Sequence, residues 1–427
     1  MAYRFVHAAD IHLDSPLRSL ALRDAALADL IGNATRQAFV TIVDLCLDEQ
    51  VDALLLAGDL HDGDQTSMKT ARFLAEQIRR LHEAGIGVFV IRGNHDAMSR
   101  ITRELIFPDT VKVFGGRAET IAIDGADGDI PIAIHGMSFA QPHAPESLLP
   151  RYGAPVEGAV NIGIMHTSLA GCAGHDLYAP CAVSDLQGAG FNYWALGHVH
   201  KRSVVEDGCA IVMPGMPQGR DINESGPKSV TLVTIADDRS VHVEERITSL
   251  AQFERVNVDL SGVEDWKDMV AAVASAMELA RGDAESEHLV ARLRVTGRTP
   301  LAWRLRRDID LLKTEADDRA AVIGRCWVEK VEVDCQEPGT GAMQASAGAS
   351  PVAELGRLIE EEVTQSEAYQ SEIIRIADEL RAQLPPECRG LLGSDKDQSR
   401  SVLHSLVREG AADVLARLYA GAEDEAA

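Results

Sequence analysis

Five separated segments of the 427-residue chain end an apolar run with side chains able to bind metals. They are Asp10-Ile11-His12, Gly58-Asp59-Leu60-His61-Asp62, Gly93-Asn94-His95-Asp96, Met165-His166-Thr167 and Gly197-His198-Val199-His200. One Asp-x-His, or one histidine at a strand end, is ordinarily a solvated turn or a satisfied polar group; five segments of complementary type carry far more information. In extended backbone residues two apart share a side, so Asp10 with His12, and His198 with His200, can each aim two ligands into one crevice. Glycines 58, 93 and 197 precede the ligands, as tight turns or close backbone approach require. The oxygen and nitrogen ligands are Asp10, His12, Asp59, Asn94, His166, His198 and His200, with no thiolate among them. Seven groups exceed the needs of one tetrahedral ion and suit two ions sharing a carboxylate, as in metal-assisted hydrolysis. Mixed imidazole, carboxylate and amide ligation favours manganese, iron or zinc over calcium.

These side chains need strand ends to hold them. From Tyr3 to about residue 250, short apolar strands alternate with helical stretches and Gly-rich turns, the pattern of an α/β domain. Strands are expected at 4–8, 53–57, 87–91, 132–135, 161–166, 193–196, 211–214 and 229–235, and helices at 24–49 and 66–84, the second capped by Thr66 or Ser67. The later strands follow one another without helices between them, which predicts two stacked sheets with helices outside. Residues 251–337 read as a small α+β appendage containing Trp303 among Arg298, Arg304, Arg306 and Arg307. A small, polar linker at 338–351 leads to a C-terminal helical region, 352–427, with helices at 352–383 and 399–419. Leu355, Ile359, Val363, Ile373, Ile376, Leu380 and Leu384 give the first of these one apolar stripe.

Composition narrows the function. No apolar run is long enough to span a bilayer, and the N-terminus enters a strand without a signal-like segment, so a cytoplasmic protein is expected. Seven cysteines without a Cys-x-x-Cys pair argue against a disulfide framework and a structural zinc site. The formal charge of −25 excludes a diffuse electrostatic grip on nucleic acid. Binding DNA would need metals, a basic partner, or a local basic groove built from Arg18, Arg100, Arg103, Lys201, Arg202 and the Arg304–Arg307 cluster. Neither a Walker motif nor a Gly-x-Ser-x-Gly elbow nor a Rossmann fingerprint occurs, which disfavours an internal ATPase, a serine hydrolase and a nicotinamide enzyme.

The order Asp-x-His, Gly-Asp, Gly-Asn-His-Asp, His, Gly-His-x-His resembles the calcineurin-like metallophosphoesterase superfamily. The wider segments His7–Pro16, Tyr193–Arg202 and Pro214–Arg220, with Glu224 and Lys228, are similar to the bacterial DNA-repair exonucleases of the SbcD and YhaO type, YhaO the nearer. The resemblance covers about residues 1–250 and implies a four-layer αββα catalytic domain (1–250), a capping domain (251–337), the linker and a partner-docking helical pair. It implies that Asp10, His12, Asp59 and His200 hold a first metal, and that Asp59 bridges to a second held also by Asn94, His166 and His198. Manganese is the first choice, with iron, zinc or magnesium as alternatives. His95 takes the place of the catalytic histidine, with Asp96 as its orienting carboxylate. His61 is a departure: relatives usually carry an aromatic or apolar residue there, and it reads as a supporting residue.

A loop at 171–180 resembles one that approaches the active site, offering His175 and Tyr178 to substrate, and Arg220 could fork onto a phosphate or pair with a nearby acid. The implied function is a metal-dependent DNA exonuclease or endonuclease subunit working with a large coiled-coil ATPase of the SbcC or YhaN type, in some relatives as a homodimer. A phosphodiesterase of nucleotides or other small phosphoesters is the alternative, since fold does not fix substrate. A non-catalytic regulatory subunit of an ATPase complex is the third reading.

Overall fold

A parallel strand buried on both faces reads as an unbroken apolar run, and Ala53-Leu54-Leu55-Leu56-Ala57 is such a run. Leu54 and Leu56 face one layer while Leu55 and Ala57 face the opposite one. The computed structural model describes residues 2–15, 25–62, 67–96, 107–123, 130–141, 144–169, 178–338, 351–384, 393 and 395–424. Contacts divide the chain into two units: residues 1–255 with 280–291 and 325–329, and residues 256–279 with 292–324 and 330–427.

The first unit contains β1 (Tyr3–Ala8), α1 (Ala25–Gly32), α2 (Ala34–Asp48), β2 (Ala53–Ala57), α3 (Met68–Glu83), β3 (Gly87–Ile91), β4 (Val111–Val113), β5 (Glu119–Ile123), β6 (Ile132–Gly136) and β7 (Val160–His166). These are followed by α4 (Val183–Gly188), β8 (Tyr193–Gly197), β9 (Ser203–Glu206), β10 (Ala210–Met213), β11 (Ser229–Ile235) and β12 (Val241–Ile247). One six-stranded sheet has the order β12-β11-β1-β2-β3-β4, the other β5-β6-β7-β8-β10-β9. β1, β2 and β3 run parallel, as do β6, β7 and β8. Phe5, Leu55, Phe89 and Ile91 of the first sheet interlock with Ile134, Ile162, Ile164 and Tyr193 of the second. On the outer face of the first sheet, Phe39, Ile42 and Val43 of α2 and Leu74, Ile78 and Leu81 of α3 cover Val6, Leu54, Leu56 and Val88. The outer face of the second packs Trp194, Leu196 and Ile211 against Leu186 of the short α4, Phe191 and loop residues. This is the expected four-layer αββα arrangement, its fourth layer mostly loop.

A third sheet, β13-β14-β15, is formed by Ala251–Asp259, His288–Arg298 and Cys326–Gln336. In the second unit, α5 (Trp266–Asp283), α6 (Ala302–Arg307) and α7 (Ile309–Ile323) precede α8 (Pro351–Leu358), a π-turn (Ile359–Val363), α9 (Glu367–Gln383) and α10 (Lys396–Asp424). The expected helix over 352–383 is therefore two helices, because Ser366 caps a new start by accepting from the Tyr369 amide. The break also interrupts the predicted stripe between Val363 and Ile373, and Leu355, Val363, Ile376 and Leu380 are exposed. Cap arginines are engaged: Arg304 lies over the Trp266 ring, Arg306 pairs with Asp413 and Arg307 with Asp308. Most of the expected linker, and Arg18, Arg100, Arg103 and His175, lie outside the described residues.

Candidate metal centre

All five motif segments leave the carboxyl ends of parallel strands, where loops of an α/β sheet converge. Asp10 follows β1, Asp59 follows β2 and Asn94 follows β3, while His166 ends β7 and His198 follows β8. The β1–β2 pairing continues past the strands through Asp10 N to Gly58 O, His12 N to Asp59 O and Leu13 N to Leu60 O, each 3.0 Å. That ladder holds Asp10, His12 and Asp59 at φ of 53°, 46° and 52°, and His198 stands at 103°. Left-handed backbone costs a residue other than glycine about 1–3 kcal/mol and persists only where its surroundings enforce it. Gly58, at φ 95°, is required twice over, since a Cβ there would stand 2.5 Å from His166 Nδ1.

Among the described residues three groups of ligand atoms form: Asp10, His12 and His200 make one, Asp59, His166 and His198 a second, and His12, Asp62 and His95 a third that shares His12 with the first. His12 Nδ1 donates to Asp62 at 2.7 Å, His200 Nδ1 to Glu224 at 3.0 Å and His166 Nδ1 to the Ala57 carbonyl at 2.9 Å. Each outer acceptor claims the Nδ1 proton and leaves Nε2 as a lone pair facing inward. Consequently the His12 and His200 Nε2 atoms confront each other at 3.2 Å. In the second group His166 Nε2 faces Asn94 Oδ1 at 3.0 Å and Asp59 Oδ2 at 3.3 Å. Acceptors this close need a shared proton or a cation, and an all-nitrogen-and-oxygen donor set suits a hard or borderline divalent ion. The residues present therefore fit two ions, and Asp59 also accepts from the His95 amide at 3.0 Å.

The electrostatics agree. Burial disfavours charge on Asp59, but the His166 ring beside it outweighs burial and keeps its carboxyl well below the ordinary range. Against the same burial, Asp59 lifts His166 to about 9, so without a metal this half retains a proton where a cation would serve. Asp10, fully buried, is raised by desolvation, and both its oxygens accept from the His198 amide.

Two expected roles change. Asp96 is buried and accepts from the Leu60 and His61 amides at 2.9 and 2.8 Å, so it braces the Asp59 loop instead of orienting His95. Burial first, then Asp59, pushes its carboxyl up to about 7. The carboxylate beside the His95 ring is Asp62, 3.5 Å from Nδ1. Arg220 is engaged behind His200, donating to Glu224 at 2.7 Å, and is not held out as a free phosphate fork. Tyr178 does reach the site, its ring 5.1 Å from that of His198. Asp62 and Glu224 are the functional neighbours that sequence reasoning left unassigned. Glu224 had one signal, its recurrence beside Arg220 in the quoted segment, while Asp62 had only its place after Asp59.

Strand ends that gather adjoining clusters of imidazole and carboxylate make a candidate metal site on an αββα sandwich. Residues 3–202 match the calcineurin-like phosphoesterase family and residues 253–336 the middle domain of metallophosphoesterase YhaO; the chain carries a calcineurin-like metallophosphoesterase domain followed by a YhaO-type middle domain. It is 36% identical over 234 residues to the uncharacterized metallophosphoesterase YhaO of Bacillus subtilis, covering 55% of this chain and 57% of that protein. It is 27% identical over 274 residues to the DNA double-strand break repair protein Mre11 of Sulfurisphaera tokodaii, covering 60% of this chain and 63% of that one. The chain thus spans less than two thirds of the length of each of these relatives. A dimetal phosphatase from Danio rerio overlaps 58% of this chain and 96% of its own at 13% identity and a TM-score of 0.37, too loose a likeness to bear on function. Among the described residues no helix is long and apolar enough to cross a membrane.

Proposed function

We propose that the chain is a metal-dependent phosphodiesterase, a DNA exonuclease or endonuclease subunit of an SbcCD-like repair complex in the cytoplasm. The carrying observation is the pair of inward Nε2 atoms of His12 and His200, 3.2 Å apart beside Asp10. Asp10, His12, Asp59 and His200 would hold one ion and Asp59, Asn94, His166 and His198 the second, with manganese as the occupant. Bound there, two divalent cations supply Lewis acidity, lowering the pKa of water and neutralising charge on phosphoryl oxygens.

The chain's own residues do the rest. Outer partners Asp62, Glu224 and Ala57 fix the imidazole tautomers, so the site needs little reorganisation when it loads. The His95 ring is about half exposed, able to hydrogen-bond a phosphoryl oxygen or protonate the departing alkoxide. Tyr178 is the retained substrate contact, and His175 is proposed with it. DNA is favoured as substrate by the likeness to a DNA double-strand break repair protein. Exposed Ile374, Leu380, Leu406 and Leu418 on α9 and α10 favour a docking role toward a coiled-coil ATPase.

The charge of −25 and the paired cap arginines favour a second reading, hydrolysis of a nucleotide or another small phosphoester. The two are separated by end-labelled single- and double-stranded DNA, a cyclic nucleotide and a generic phosphodiester, each with manganese, magnesium or chelator. Manganese-dependent DNA cleavage that disappears in His95→Ala supports the first. Turnover of a nucleotide with DNA untouched overturns it.

A further inference from the structure

The carboxylate behind His200 hangs on a segment too short to hold itself. Glu224 Oε1 accepts from His200 Nδ1 at 3.0 Å, and Glu224 ends a three-residue helical turn, Ile222–Glu224, in the loop between β10 and β11. A turn of that length makes few hydrogen bonds of poor geometry, so its place is set by what it packs against. Ile222 is buried among Ala251, Phe253 and Val290, with Leu27 and Ile31 of α1. The Phe253 carbonyl accepts from the Gly226 amide at 3.0 Å. Two residues further along β13 the Arg255 guanidinium forks over the turn, Nη1 donating to the Ile222 carbonyl at 2.9 Å and Nη2 to Asn223 Oδ1 at 3.2 Å. Upstream in the loop the buried Gln218 side chain accepts from the Leu250 amide and donates to the Ala251 carbonyl, both at 2.8 Å. The loop is thus fastened to β13 at three levels, while the Met216 amide near its start donates to the His200 carbonyl at 3.3 Å. All of these residues belong to the first unit, yet Phe253 and Arg255 lie inside the span that matches the YhaO-type middle domain.

We infer that Arg255 is a positioning residue for the first metal half: the opening strand of the middle domain holds the turn that presents Glu224 to His200, and so sets how tightly an ion beside Asp10, His12 and His200 is bound. The inference rests on the two-ion reading of the crevice and goes beyond it, because it places part of the support for that centre outside residues 3–202, the span of the phosphoesterase family. An outer acceptor fixes a ligating imidazole only as well as it is fixed itself. Burial of Ile222 anchors one side of the turn, and the Arg255 fork removes the remaining swing by occupying a carbonyl that a helix end leaves unsatisfied. The rival explanation is that Arg220, which donates to Glu224 through its amide at 2.8 Å and its Nη2 at 2.7 Å, holds the carboxylate alone, with Arg255 fastening only the surface.

Arg255 is exposed, so its replacement spares the core. The test uses the full chain as wild type and as Arg255→Ala, Arg255→Lys, Glu224→Ala and the Arg255→Ala/Glu224→Ala double variant. Arg294→Ala, which removes an exposed arginine of β14 paired with Asp334, is the control. Manganese binding is followed by calorimetry and folding by melting in chelator, so no turnover enters. Arg255→Ala is expected to bind two equivalents, one with wild-type affinity and the other about 3–10-fold more weakly, the span of one lost hydrogen bond. Glu224→Ala weakens the same equivalent about 10–100-fold, and adding Arg255→Ala to it changes nothing further. Arg255→Lys, which keeps one donor, recovers part of the loss, Arg294→Ala binds as wild type, and none of the three arginine variants melts appreciably earlier.

Wild-type affinity at both equivalents in Arg255→Ala overturns the inference and leaves Glu224 to Arg220. An equal weakening of both equivalents with an earlier melt overturns it too, as a general loss of structure. So does a loss in the double variant beyond that of Glu224→Ala, which routes Arg255 around Glu224. If Glu224→Ala melts as an unfolded chain, the two single Arg255 variants decide. Fewer than two equivalents in the wild type is a separate failure, that of the two-ion reading; it shows before any substitution is made, and the inference falls with it.

Discussion

The strand-end crevice and the C-terminal helices treat their side chains in opposite ways. In the crevice Asp10, His12, Asp59 and His166 are almost completely buried, each with a specified partner, the first three on backbone bent into the left-handed region. On α9 and α10 the apolar residues Ile374, Ile376, Leu380, Leu406 and Val414 stand about half exposed, and charged residues pair along the helix, as Arg375 does with Glu372. Buried polar groups ordinarily persist only when satisfied, and these four side chains lack only the cation that their inward-facing acceptors call for. The second has a surplus of unburied apolar surface, which is how an unpartnered interface looks.

That contrast is broken most severely by removing the crevice's central carboxylate. Asp59→Asn should lower manganese-dependent phosphodiester turnover by more than about 100-fold, beyond what loss of an outer carboxylate produces. Retention of two tight manganese equivalents by this variant would show that the acceptors do not need the Asp59 charge.

The next contrast is in stability. Leu55→Ala, between the two sheets, should destabilise the first unit by about 2–5 kcal/mol, whereas Ile374→Ala on α9 should stay within about 0.5 kcal/mol. Denaturant unfolding of both variants measures this, and a comparable loss for Ile374 would mean that the helix face is already covered.

The crevice was largely legible in the sequence because its ligands sit at strand ends, and the strands announce themselves as short apolar runs between glycines. The roles of Asp62, Asp96 and Glu224 were not legible, for geometric reasons. Adjacent residues point in different directions, so Asp96 turns from His95 to brace the Asp59 loop, while Asp62 reaches the same ring across 33 positions. Glu224 meets His200 through a short helical turn, Ile222–Glu224, that no apolar period signals. Edge strands β4, β5, β9 and β12 escaped for a related reason: they are short or half exposed, so their apolar runs are weak. The split between α8 and α9 was masked because the apolar stripe reads as continuous across a ten-residue gap, Val363 to Ile373, in which Ser366 starts a new helix.

A smaller effect separates the regions by pH. His7 lies buried between the sheets, bonded to Tyr193 Oη at 2.9 Å and the Leu196 carbonyl at 3.0 Å. Desolvation, its largest cause, lowers its pKa from 6.5 to about 3. The unfolded chain therefore takes up a proton that the folded chain refuses, so this stability is present above pH 6.5 and is lost as pH falls toward 3. The loss should reach about 2 kcal/mol by pH 5. Unfolding in chelator at pH 7 and 5 measures it, and His7→Gln should flatten the dependence; an equal slope in that variant would assign the proton elsewhere.

His61 supplies the finest test of how complete the crevice is. It is fully buried beside the ligand loop, yet neither ring nitrogen has a hydrogen-bond partner among the described residues, and desolvation lowers its pKa to about 4, keeping the ring neutral. It belongs to none of the ligand groups, although its backbone amide donates to Asp96 and it bridges Leu13. An unsatisfied buried polar group costs about 1–3 kcal/mol, so exchanging the imidazole for a phenyl ring should remove that penalty, less the strain of the larger ring. His61→Phe should therefore stabilise the chain by about 1 kcal/mol in chelator and leave both manganese equivalents in place. Destabilisation together with a lost equivalent would mean that the two nitrogens are reserved for an ion, and that the crevice lacks more than the two cations its other acceptors define.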